Sequence, residues 1–168
     1  GARIAASTKA DLHGAITASI AILKGPSHGG AAEEVMRMAL AIGSEENANT
    51  YVRELLSRGG RVMGFGHPVY KTVDPRSIHL RDGARALSDR MGQPKWFSIL
   101  EAVVDAMEPY AARGICQNVD FFSGAIYYLM GIPDDLFISI FAIGRIPGWT
   151  LQAMEQLGDN ILIRPRLM

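Results

Sequence analysis

From Leu12 to Leu157, apolar residues recur every three or four positions, and no stretch alternates convincingly with period two. Leu12, Ile16, Ile20 and Leu23 fall on one side of a 3.6-residue helix that Gly25-Pro26 closes. Val35, Met38, Ala39 and Ile42 repeat the pattern up to Gly43, and Tyr51 and Leu55 continue it to Arg58 and Gly59-Gly60. Past Pro75 the spacing predicts a helix through Leu80, Ala84, Leu87 and Met91, and past Pro94 another through Trp96, Leu100, Val103 and Met107. Ile126 and Leu129 lie in a helical stretch from Phe122 to Met130, Pro133-Asp134 opens the apolar "DLFISIFAIG", and Trp149, Ala153 and Leu157 mark a last helix. This pattern constrains the chain to an all-α fold whose loops are punctuated by glycine and proline.

Such a chain has the means to bury a core, with 168 residues of which 48% are hydrophobic and 20% charged, a length that normally makes one domain. Lys plus Arg equals Asp plus Glu at 17 each, without long like-charged runs, so no net field would hold a polyanion and nucleic acid is excluded as a partner. The single cysteine, Cys116, makes no internal disulfide and lacks the paired spacing of a zinc site. A reducing, cytoplasmic compartment is expected. The runs "AITASIAIL" and "LFISIFAI" are broken by Thr or Ser and reach about half the ~20 residues of a membrane span, so no membrane partner is expected. The opening "GARIAAST" does not read as a signal peptide.

Five stretches carry chemistry-bearing side chains. "KGPSHGGAAEEV" sets His28 between a helix ended by Gly-Pro and one opened by Gly-Gly, where a side chain either faces a cleft or is a solvated helix-start residue. "MGFGHPVYKTVDPR" puts His67 after Gly64 and Gly66, which permit unusual backbone and close ligand approach, between the stiffening Pro68 and Pro75. An ordinary interhelical turn explains it equally. It is not the dinucleotide fingerprint, since Val69 stands where a third glycine is needed. In "GICQNVDFFSG", Asp120 sits among Val119, Phe121 and Phe122, a setting that would raise a carboxyl pKa toward general-base range, or it caps the following helix, as Asn118 also could. "AIGRIPGW" adds Arg145 and "ILIRPRL" adds Arg164 and Arg166. Jointly, two histidines, a carboxylate and arginines on glycine-punctuated loops suggest a small carboxylate substrate attacked at a carbonyl. The histidines lack close pairing and an acidic cluster, so no metal site is expected.

Taken in order, "KGPSHGGA", "MGFGHPVYKTVDPR", "NVDFFSG", "GRIPGW" and "IRPRL" resemble the citrate synthase family across nearly the whole chain. The resemblance implies a multihelical fold and condensation of acetyl-CoA with oxaloacetate to citrate and free CoA, an acyl transfer of the tricarboxylic acid cycle. It assigns Asp120 to removing the methyl proton of the thioester and His28 to stabilising the enol through an oxyanion-hole contact, which contributes about 3–4 kcal/mol in the transition state. His67 would polarise the ketone of oxaloacetate, and citryl-CoA would then be hydrolysed. Arg76 and Arg145 match positions that grip the carboxylates, a task suited to a planar bidentate donor. Arg164 matches the arginine presented to the neighbouring subunit's site, which implies a homodimer. Met63, Gly64, Gly66, Lys71 and Asn118 match the CoA-binding surface, with Lys71 near phosphate. No permanently bound cofactor is implied, CoA being a co-substrate.

The chain departs from the family's pattern at Ala32, often Asn, at Pro147, usually Ala, and at His13, often Tyr. Family members carry a further segment upstream of one like "ARIAAST", with another oxaloacetate-binding histidine, and continue past the position of Met168. The expectation is therefore a C-terminal portion: 1–28 and 136–168 from the large domain, 29–135 the small, mobile CoA-binding domain whose closure excludes water. Alone, such a portion would expose apolar faces, self-associate and turn over little. Two other readings are a 2-methylcitrate synthase using propionyl-CoA and an inactive CoA-binding or dimerisation module.

Overall fold

A computed structural model describes residues 1–25 and 29–164. Among them lie eight α-helices and no strand, so the chain is all-α. They fall into two compact units, Gly1–Gly30 with Ile138–Met168, and Ala31–Phe137.

The second unit holds α3 (Ala31–Ile42), α4 (Ala48–Ser57), α5 (Pro75–Arg90), α6 (Pro94–Ala111) and α7 (Val119–Leu129). Its centre is α7, against which α3 and α5 pack, while α4 lies on α6. Phe121 and Phe122 open α7 and are fully buried; Phe122 stacks on Phe97 of α6 with centroids 6.2 Å apart. Each such side chain contributes about 1.5–3 kcal/mol on leaving water, which fixes the start of α7 more firmly than its middle turns could. Gly124 lets α3 come close: a Cβ there would sit 2.4 Å from the carbonyl oxygen of Ala32.

In the first unit, α1 (Ala2–Ser7) packs on α2 (Leu12–Leu23), and Asp11 caps α2 by accepting the Gly14 N–H at 2.7 Å. Ala6, Ala15 and Ala153 are fully buried and small enough for close helix approach. Arg3 pairs with Gln152 and Glu155 of α8 (Phe137–Gly158). The segment after α8 is tied back to α1, with Ile163 N–H donating to Ser7 Oγ at 3.1 Å and Asn160 Nδ2 to the Ser7 carbonyl at 3.2 Å. Gly29 lies against the end of α2, where a Cβ would sit 2.3 Å from the Leu23 carbonyl oxygen.

Two features depart from the sequence reading. The α1 helix has no apolar repeat long enough to reveal it. The stretch read as two pieces either side of "GRIPG" is one helix of 22 residues that continues through Pro147. Proline removes an N–H and crowds the carbonyl four residues earlier, here that of Ile143, which is 64% exposed and so lies on a face where water can take that carbonyl. The same continuity makes α8 with its preceding turn longer than the run read from the sequence, and long and apolar enough to cross a membrane by length and composition alone. In the fold it carries Arg145, pairs Glu155 with Arg3 and buries Ala153 in the alanine core.

Candidate active site

The "GFGHPV" motif occupies the connection between α4 and α5 and is laced to the segment before α7. Phe65 and Gln117 form an isolated antiparallel bridge. Gly66 N–H donates to the Cys116 carbonyl and Asn118 N–H to the Gly64 carbonyl, both at 2.8 Å, and Asp74 N–H reaches the Gln117 carbonyl at 3.2 Å. Phe65 adds an edge-to-face contact with Phe121, centroids 4.9 Å apart. Gly64, at φ +77°, lies so close to Phe121 that a Cβ would be 2.8–2.9 Å from three of its atoms. Gly66 also has positive φ, +85°, but nothing stands within 4 Å of its would-be Cβ. Of the two glycines, the first makes room for the protein's own core and the second leaves space open.

That lacing positions His67. Its Nδ1 accepts the backbone N–H groups of Val69 and Tyr70, each at 3.1 Å, so the lone pair on Nδ1 is in use and Nε2 is the nitrogen that carries the proton. The Tyr70 ring lies against the imidazole, centroids 4.6 Å apart and planes tilted by 30°. Lys71 Nζ donates to the His67 carbonyl at 3.4 Å and packs along Gly114. The half-buried imidazole is thus a fixed N–H donor.

Asp74 and Pro75 begin α5, with the Asp74 side chain as cap and Pro75 in the first turn. Arg76 therefore sits in a helical turn rather than on a loop. Its Nε donates to Asp74 Oδ1 at 3.0 Å and its Nη2 to Oδ2 at 2.7 Å, while its backbone N–H donates to Oδ1 at 3.0 Å. Asp74 is 1% exposed and the Arg76 side chain 46%. The guanidinium bond holds the Asp74 carboxyl below its ordinary range against the opposing effect of burial, and Asp74 in turn raises Arg76.

Asn118 resolves the capping alternative: its Oδ1 accepts the Asp120 N–H at 2.9 Å, so Asn118 caps α7 and Asp120 occupies the first turn. The other end of the amide, Nδ2, donates to the Gly66 carbonyl at 3.0 Å. Asp120 is half-buried, and its charge reaches both Arg76 and Tyr127. The Tyr127 phenol is pushed up first by burial and then by Asp120. Because both ends of Asn118 serve the scaffold, Asn118→Ala is expected to cost about 1–2 kcal/mol of stability in urea unfolding. A cost no larger than that of an exposed surface substitution would show the clamp to be idle.

The second unit thus gathers His67, Arg76 and Asp120 with Gly64, Gly66, Lys71 and Asn118 on two laced segments, and half-buried Met63 stands just before them. Arg145, in α8 of the first unit, is exposed with its guanidinium 4.9 Å from the centre of the Phe141 ring; Arg164 is exposed in the segment after α8. His28 lies outside the described residues. The sequence reading placed the charged groups on loops, whereas Arg76, Asp120 and Arg145 are helical. It passed over Asp74, whose signal was an Asp-Pro pair ahead of a helical repeat, and Tyr70. Among the described residues no cluster of three His, Cys, Asp or Glu could hold a metal ion.

Residues 1–166 match the family model described as citrate synthase, C-terminal domain. The chain is 43% identical over 165 residues to citrate synthase 2 of Bacillus subtilis, covering 98% of this chain and 44% of that one. It is 43% identical over 164 residues to 2-methylcitrate synthase 1 of Corynebacterium glutamicum, covering 98% and 42%. Citrate synthase of Thermoplasma acidophilum, solved with carboxymethyl coenzyme A and oxaloacetate, superposes with a TM-score of 0.92 at 35% identity over 99% of this chain and 45% of that one. The chain thus spans less than half the length of these relatives.

Proposed function

Because the chain belongs to the citrate synthase family, we propose that the protein carrying it condenses acetyl-CoA with oxaloacetate, releasing citrate and CoA. The observation that supports this reading most directly is the fixed imidazole: two backbone donors hold His67 with its proton on Nε2, on a segment laced to the one that leads into Asp120.

In this reading the Asp120 carboxylate takes a proton from the acyl methyl group and the electron pair moves onto the thioester oxygen, where a hydrogen bond donated by His28 stabilises the enolate. The enol carbon then attacks the ketone of oxaloacetate, whose oxygen is polarised by the His67 Nε2–H. Water hydrolyses the resulting thioester and CoA leaves. Arg76 and Arg145 hold the carboxylates of oxaloacetate, and Gly64, Gly66, Lys71, Met63 and Asn118 border the CoA. The family resemblance adds a homodimer in which Arg164 serves the neighbouring site.

A second reading, condensation of propionyl-CoA to 2-methylcitrate, is favoured by relatives of that name at the same 43% identity. The deciding measurement is turnover of the complete gene product with oxaloacetate and each acyl donor, with the product identified by mass. Acetyl-CoA is expected to give the higher kcat/KM and citrate. A reversed preference selects the second reading, and no condensation with either donor rejects both.

A further inference from the structure

The side chain of Asp74 is the least exposed charged group in the second unit and has no part in the reaction as written above. Its contacts dictate how Arg76 can be used. A guanidinium has five N–H donors: one on Nε and two on each Nη. Asp74 takes the Nε–H and one Nη2–H through its two oxygens, a side-on fork. Three donors remain; one on Nη1 and one on Nη2 point the same way and make an end-on edge with the spacing of a single carboxylate, while the second Nη1–H points aside. Asp74 is held twice more: its Oδ1 accepts the Arg76 N–H, and its backbone N–H donates to the Gln117 carbonyl. The Pro75 ring between the two residues fixes φ and stiffens the link. A flexible arginine would spread its rotamers; this one is held in a single orientation while 46% of its side chain stays exposed.

We propose that Asp74 is a positioning residue for substrate binding: by occupying the side edge of Arg76 it commits the end-on edge to one carboxylate of the keto-acid substrate. The inference rests on the assignment of Arg76 to the keto acid. Asp74 itself does not touch substrate. With Arg76 already partnered, the pair carries no net charge, so the gain on binding comes from orientation of donors rather than from an unpaired cation. The residue matters for keto-acid affinity and little for the acyl-CoA.

The test is a double-mutant cycle in the complete gene product, with KM measured separately for oxaloacetate and acetyl-CoA. Asp74→Asn keeps a side chain that caps helices well but sets its amide against a guanidinium donor. It is expected to raise the oxaloacetate KM about tenfold or more, in line with loss of a charge-assisted bidentate pair, and to leave the acetyl-CoA KM within about twofold. Arg76→Ala should raise the oxaloacetate KM further, and adding Asp74→Asn to it should then change nothing, because the residue acts only through Arg76. Thermal unfolding of each variant without ligand confirms that the fold persists. An oxaloacetate KM within twofold of the parent, equal rises in both KM values, or undiminished effect of Asp74→Asn in the Arg76→Ala background would each overturn the proposal. Absence of condensation in the parent would instead reject the functional reading on which it rests.

Discussion

Asp120→Asn in the complete gene product is expected to lower condensation turnover by about 10²–10⁴-fold, the range for loss of a positioned general base. The substitution is nearly isosteric and leaves the anchors of this helix start in place. The cap of α7 is Asn118, not Asp120, and the start of that helix is held by fully buried Phe121 and Phe122. Urea unfolding of the variant, measured beside turnover, separates loss of the base from any loss of stability. Both acyl donors should lose turnover alike, since the proton removed lies next to the thioester carbonyl in each. A variant with near-normal condensation would remove Asp120 from the mechanism and leave it a first-turn acid.

The largest stability effect is expected at Gly64. An alanine there meets two costs at once: a left-handed backbone, about 1–2 kcal/mol for a side-chain-bearing residue, and a Cβ 2.8–2.9 Å from Cα, Cβ and Cδ2 of Phe121. Phe121 is fully buried in the centre of the unit and cannot yield without moving α7, so overpacking adds about 1–3 kcal/mol. Gly64→Ala should thus lose about 3 kcal/mol or more in urea unfolding. Gly66→Ala, at φ +85° with nothing within 4 Å, should lose only the backbone part. Equal losses in the two variants would show that the contact with Phe121 carries no weight.

The helices were legible because their apolar faces repeat, as Leu100, Val103 and Met107 do along α6, and because helix starts carry local signals such as Pro75 and Pro94. What escaped notice depends on partners far along the chain. Nothing in "GFGH" tells that Gly66 will bond Cys116, 50 positions later, or that Phe65 will meet Phe121. A single bridge has no alternating pattern to announce it. Pro147 between Gly144 and Gly148 carries the local mark of a break, and the helix goes on because its exposed side offers water to the abandoned carbonyl. The candidate groups themselves were visible as residue types, but not their couplings. The grip of Asp74 on Arg76 needs the rotamers that only the folded chain supplies.

The lacing of 64–66 to 116–118 bears on how such a site can be recombined. The segment bearing His67 and the one leading to Asp120 are fitted to each other through the Phe65–Phe121 edge contact and the Asn118 amide. Exchanging either one alone between related enzymes would bring together surfaces that were never matched, even though each piece looks like a self-contained motif. The smallest transplantable piece runs without interruption from the end of α4 into the first turn of α7, and crossovers placed inside it should yield chimeras that fold poorly at this loop.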